Sequence, residues 1–235
     1  MFALFNNITD DQREHAIEEM IRQSSPRFDF FLMVALAVAM ASFGVVLDDT
    51  VVLIGSMLIA PVLSPVLALA LGVVIAGPTL IGRSFVTIVI AVLSALATGF
   101  VIGTVFHPIV THDNGVLTSM AEGAPSIGVM FVATISGLAA AFGVMKQNLS
   151  GMLPGVSVSV SLVPPLATAG VAISRMNWSI AMNAFLIFLI NVVCIILAAI
   201  VIFSLFRLGS KRKMTRATVK KDVQEVHAER KAAGF

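Results

Sequence analysis

Tyrosine is absent from the 235 residues, tryptophan and cysteine occur once each, and only 12% of the chain is charged. Cys194 lies in an apolar run, so no intrachain disulfide can form and the compartment cannot be read from redox chemistry. With Trp178 as the sole indole and no tyrosine, the aromatic belt usual at membrane interfaces is nearly missing. The first 28 residues hold five acidic and three basic side chains and lack the apolar core and small-residue cleavage site of a signal peptide. The first membrane segment is therefore expected to act as its own insertion signal.

Charge is missing in a more telling way from six long stretches. No Asp, Glu, Lys or Arg falls between Phe30 and Leu47, Val51 and Gly82, Ser84 and Thr111, or Gly123 and Met145. The same holds from Gln147 to Ser174 and from Met176 to Phe206. Each gap can supply the roughly 20 helical residues that cross about 30 Å of hydrocarbon. What fills them is apolar: 58% of the chain is hydrophobic and its mean hydropathy is +1.00, more than a soluble core absorbs. Six transmembrane segments are predicted, at about 28–47, 51–76, 84–106, 125–145, 151–174 and 179–206. They divide the chain into a cytoplasmic N-terminal part (1–27), a membrane domain (28–206) and a basic tail (207–235).

Basic residues near membrane ends stay in the cytoplasm. Placing the N-terminus there puts Arg13, Arg22, Arg27, Arg83, Lys146 and nine tail residues inside and leaves only Arg175 outside. Both termini are thus expected in the cytoplasm of a prokaryotic cell with the domain in its inner membrane. Residues 9–24 read as an amphipathic helix, with Thr9 and Gln12 at capping-box spacing and Ala16, Ile17, Met20 and Ile21 on one stripe. In the tail, Val219, Val223 and Val226 share helical spacing among Lys220, Lys221, Arg230 and Lys231. Such a helix can lie on anionic lipid or stand in solvent, fixing topology only.

Segments two and five carry prolines in their interior, where the others do not: Pro61 and Pro65 in one, Pro154, Pro164 and Pro165 in the other. Proline removes a helical donor and clashes with the preceding turn, so the carbonyls of Met57, Pro61, Val160 and Ser161 are predicted to lose their partners. Such breaks persist only inside protein or beside a water-filled cavity. The order unbroken, broken, unbroken then repeats, and three passes invert the second triplet. The expected fold is all-α, a six-helix 3+3 inverted repeat with helices two and five broken at prolines. Half-helices starting at Pro65 and Pro165, the first capped by Ser64, would aim their positive ends at one volume near mid-membrane. The predicted substrate-binding set is Ser56, Pro61, Ser64, Pro65, Ser161, Pro164, Pro165, Thr168 and Asn191, with Ser157 and Ser159 as further hydroxyls. Ser and Thr in membrane helices are also ordinary packing residues bonded to their own backbone, whereas an amide at membrane depth needs a partner.

Those stretches carry a likeness. Val51-Val52-Leu53-Ile54-Gly55-Ser56-Met57-Leu58-Ile59-Ala60-Pro61 with Pro65, then Leu162-Val163-Pro164-Pro165-Leu166-Ala167-Thr168 with Gly170, and Asn191, resemble the "hydrophobic domain" family of bacterial and archaeal membrane proteins, a domain of unknown function. The resemblance covers roughly residues 28–206, and Ser56 stands where that family leads one to expect alanine. Many members carry a larger soluble domain at one end, which this chain is expected to lack. The family implies no substrate.

No embedded Asp or Glu is available for a carboxylate-based proton or sodium relay, which leaves backbone dipoles and hydroxyls as the polar elements. The leading expectation is a transporter or facilitator of a small anionic or zwitterionic solute, with an oligomeric channel or a non-transporting scaffold or sensor as alternatives. No enzyme activity is expected; His107, His112, Asp113 and Glu122 share an external loop but match no metal-ligand spacing. The expected partners are membrane lipid, a small polar or anionic solute and further copies of the chain, given small-xxx-small pairs such as Gly72 with Ala76 and Ala139 with Gly143. No cofactor, metal or nucleic acid is called for.

Overall fold

The computed structural model describes residues 10–106, 115, 126–145, 162–206, 208 and 212–232. Among these residues every regular element longer than one turn is an α-helix. In chain order they are α1 (Asp10–Gln23), α2 (Phe28–Val46), α3 (Thr50–Ile59), α4 (Leu63–Val74), α5 (Pro78–Val105), α6 (Ile127–Met145), α7 (Val163–Ser174), α8 (Trp178–Leu205) and α9 (Arg212–Ala232). Thr9, Pro154, Ser157, Ser159, Val160, Ser161 and the loop histidines with Asp113 and Glu122 lie outside the described residues.

Helices α2, α5, α6 and α8 are each long and apolar enough to cross a membrane, and α3 with α4 forms a fifth candidate span bent by 50°. The chain is a multi-pass membrane protein. At 28 residues each, α5 and α8 reach about 42 Å, more than the hydrocarbon thickness. Helix α5 begins at Pro78, six residues before the predicted start. Pro78 occupies the first helical turn, where a missing N–H costs nothing, so Arg83 is carried on the helix and not on a loop.

Ala60 separates α3 from α4 in an extended conformation (φ −77, ψ 121), the region favoured before a proline, here Pro61. The predicted loss of a partner for the Pro61 carbonyl is not seen: it accepts the Ser64 N–H at 3.2 Å. A tight turn meets the need that the broken helix leaves. Nor do the second-half helices start at their prolines. Helix α4 starts at Leu63 and α7 at Val163, which makes Pro65 and Pro165 the third residue of each.

Three helices, α2, α4 and α7, stop in the same way. After each last turn one residue enters the left-handed region, Asp48 (φ 57), Ala76 (φ 49) or Met176 (φ 56). The next N–H then reaches back to the helix: Asp49 to Gly44 O at 2.8 Å, Gly77 to Gly72 O at 2.9 Å, Asn177 to Ala172 O at 3.0 Å. This is the six-to-one closure that usually employs glycine. A side chain there costs about 1 kcal/mol, least for Asp. Ala76→Gly is accordingly expected to raise stability by about 1 kcal/mol, read as a higher thermal midpoint in detergent. An unchanged or lower midpoint would show that the turn is not strained.

Packing places α7 at the centre. Every residue from Leu162 to Ala172 is buried, and α7 packs on α2, α5 and α8, with a smaller contact to α3. Helices α5 and α8 instead turn large apolar side chains outward, among them Val86, Val89, Leu93, Leu186, Leu189, Val193 and Leu197. In a bilayer these face acyl chains, so close association must come from backbone fit rather than from apolar burial. Gly99 of α5 and Gly170 of α7 supply it: a Cβ on Gly170 would lie 2.9 Å from Gly99 Cα and 2.9 Å from the Leu96 carbonyl oxygen.

Helices α1 and α9 close one end. Ala16, Ile17, Met20 and Ile21 are all buried, as their stripe implies, and α1 lies against α4, α6 and α9. The tail helix α9 docks one face on the bundle. Thr215, Val219, Asp222 and Val226 are buried at helical spacing, and Arg83 of α5 forms an ion pair with Asp222. Ser25 Oγ donates to the same carboxylate at 2.7 Å, and Arg27 lies 3.7 Å from it.

Candidate functional site

Three buried side-chain oxygens on the apolar helices have no hydrogen-bond partner among the described residues: Ser84 Oγ, Thr168 Oγ1 and Asn191 Oδ1. Thr168 is 0% exposed and Asn191 4%. Leaving such a group unpaired costs about 1–3 kcal/mol, so each marks a place where the bundle has not spent its interior on packing alone.

Thr168 is on α7 and Asn191 on α8, two helices that pack together antiparallel across the turn at Arg175–Asn177. Counting equal rise back from that turn along both helices brings Asn191 about level with the first turn of α7. No described side chain caps that end of α7. Its N-cap is Leu162, which makes no side-chain cap bond, and Pro164 and Pro165 lack an N–H altogether. The positive end of a helix dipole therefore lies in the buried interior at the depth of an amide, one turn below a free hydroxyl. An amide supplies both a donor and an acceptor, and threonine supplies a donor with two acceptor positions.

The other predicted site residues divide. Pro65, Pro164 and Pro165 are buried and Pro61 is half-buried. Ser56 is buried, but its hydroxyl donates to the Leu53 carbonyl of its own helix at 2.6 Å and is not available to a ligand. Ser64 does not cap α4; the N-cap is Val62, and Ser64 Oγ donates to Gln23 Oε1 of α1 at 2.9 Å. It sits on an outward-facing side of that turn, where α1 reaches it. Ser161 lies outside the described residues. Among the described residues, Thr168 and Asn191 are thus the two predicted hydroxyl or amide groups left unengaged, both in the second half of the chain.

Two features escaped the sequence reading. Ser84, on α5, is buried with a free hydroxyl, and one serine among many carried no signal. Arg175, in the turn after α7, has Nε and Nη2 without partners, and burial pushes its guanidinium below the ordinary arginine value. It stands at the end of the bundle away from Arg27 and Arg83.

A model of the Domain of unknown function (DUF389) matches residues 57–197. The chain belongs to that family. Its matched stretch begins at Met57, so the prolines of both halves, Thr168 and Asn191 fall inside it and the residues from Val51 to Ser56 precede it. An uncharacterized protein of Methanocaldococcus jannaschii is 31% identical to this DUF389 chain over 181 residues, 77% of the chain and 55% of the relative. The chain spans about half the length of that relative. No solved structure matches this family member.

Proposed function

We propose that the protein carries or facilitates passage of a small anionic or zwitterionic solute, bound where α7 begins, with Asn191 and Thr168 as its polar contacts. One observation carries this reading: among the described residues, two buried polar atoms without partners and a helix N-terminus without a side-chain cap fall on adjacent helices of an otherwise apolar bundle. A water-accessible guest with a carboxylate or similar anion meets all three needs at once. Arg175 adds positive charge at the outer approach.

Architecture supports a carrier through its internal correspondence. Helices α2 and α6 have 19 residues each, α4 and α7 have 12, and α5 and α8 have 28. The last two pairs are offset by 100 positions, 63 to 163 and 78 to 178. Packing is reciprocal: α5 of the first set lies on α7 of the second, and α8 of the second lies on α4 of the first. This pattern favours the 3+3 inverted repeat with two interrupted segments on which rocking carriers are built. Arg27, Arg83, Arg216 and Lys220 cluster at one end, which favours cytoplasmic termini.

Reconstitution into liposomes with labelled small anions and amino acids tests the proposal, and Thr168→Val serves as the site variant. Valine keeps the shape and removes the hydroxyl, so half-saturating concentration should rise about tenfold while the fold is retained, a hydrogen bond to a charged group contributing about 1.5–3 kcal/mol. Uptake that never saturates, or unitary currents, would favour the pore instead.

A further inference from the structure

Outside this site, a groove of about 490 Å³ opens between the α4–α5 turn and the tail helix, lined by Ile75, Gly77 and Leu80 on one side and by Arg216, Val219 and Lys220 on the other. We infer that it binds an anionic glycerophospholipid, the headgroup between Arg216, Lys220 and the start of α5 and the acyl chain over Ile75, Leu80 and Val219.

Charge is sorted across α9 in a way that leaves this role open. Asp222, Glu225 and Glu229 turn toward Arg27 or Arg83. Arg216 and Lys220, one turn apart, are exposed on the groove rim, with no ion-pair partner among the described residues, and no acidic side chain lines the groove. Gly77 caps α5 without any side-chain bond, so the positive end of a 28-residue helix adds to the same rim. The floor is of opposite character. Ile75, Leu80 and Val219 are buried and apolar, a surface that free phosphate cannot use. From the rim a path leads into the bilayer: Thr79, Gly82, Val86, Val89 and Leu93 are exposed and follow one face of α5 at three- and four-residue intervals. A headgroup held at the rim thus has its tail already directed along a lipid-facing stripe. The two-cation rim selects an anion, and this continuity selects a phospholipid over a soluble one.

The test is native mass spectrometry of the delipidated protein in detergent, titrated with phosphatidylglycerol or phosphatidylcholine. Phosphatidylglycerol should bind in preference, and R216Q and K220Q should each weaken it about fivefold, the worth of one basic residue near an anionic surface. K221Q removes the same charge from the neighbouring exposed position, which does not line the groove, and should leave binding unchanged. Equal binding of phosphatidylcholine, equal weakening by K221Q, or displacement of phosphatidylglycerol by inorganic phosphate would each overturn the assignment. The first would remove the anionic preference, the second the groove, and the third the lipid.

Discussion

Replacing Asn191 with leucine is expected to stabilise the protein and to abolish most of the proposed transport. Leucine branches at Cγ as asparagine does but is bulkier, so the substitution keeps the side chain's shape while adding some volume on α8. It removes a buried carbonyl oxygen that has no partner among the described residues, and with it a penalty of about 1–3 kcal/mol. The thermal midpoint in detergent should therefore rise. Binding of a charged solute should weaken by about 10- to 150-fold, the equivalent of 1.5–3 kcal/mol for a hydrogen bond to a charged group. Opposite signs for stability and function are what distinguish a site residue from a packing residue. If N191L lowers the midpoint, the amide is bonded in the folded protein and the proposed site loses its main contact. Saturable uptake that survives in a stabilised N191L variant would move the solute elsewhere.

The second large effect is predicted at the end of the bundle closed by α9. Asp222 and Arg83 have side chains only 9% and 11% exposed, and Ser25 and Arg27 converge on the same carboxylate. Taking away one partner of a buried pair strands the other charge and costs about 3–5 kcal/mol. Asp222→Asn should therefore release α9 from the bundle, seen as rapid proteolysis and fast amide exchange across Arg212–Ala232 with the membrane helices still protected. Glu225 also approaches Arg27, at 3.7 Å, but its side chain is 53% exposed. Glu225→Gln should change stability by less than about 1 kcal/mol and leave the tail docked. Equal behaviour of the two variants would mean that the apolar stripe of Val219 and Val226 alone holds the helix.

These two sites were not equally legible. Asn191 could be singled out from the chain because a large amide within a long uncharged run has few uses. Asp222 could not, since one carboxylate in a mixed-charge helix looks like any solvated acid. Its importance arises only when α1, α2, α5 and α9 bring Ser25, Arg27, Arg83 and Asp222 to one place. Ser64 shows the converse. Its position before Pro65 suited a helix cap, yet α4 begins one residue earlier than it, and the hydroxyl is claimed by Gln23 from a helix 41 residues away in sequence.

The internal correspondence was half visible. The alternation of proline-bearing and proline-free segments suggested two triplets, but the offset of 100 residues joins few identical residues, Pro65 with Pro165 and Phe85 with Phe185 among them. Any apolar side chain satisfies the bilayer, so helix length can be preserved while residue identity drifts.

What the chain alone determined is therefore what depends on composition and local pattern: membrane residence, the existence of its long apolar helices, the amphipathic face of α1 and the burial of an amide at Asn191. Hydrocarbon admits no unpaired backbone or free charge, and that constraint is written residue by residue. Which hydroxyls remain free, where α9 docks and how closely α5 approaches α7 were decided by the tertiary structure. Each depends on partners far apart in the chain, and only packing determines whether a polar atom meets one or is left for a guest.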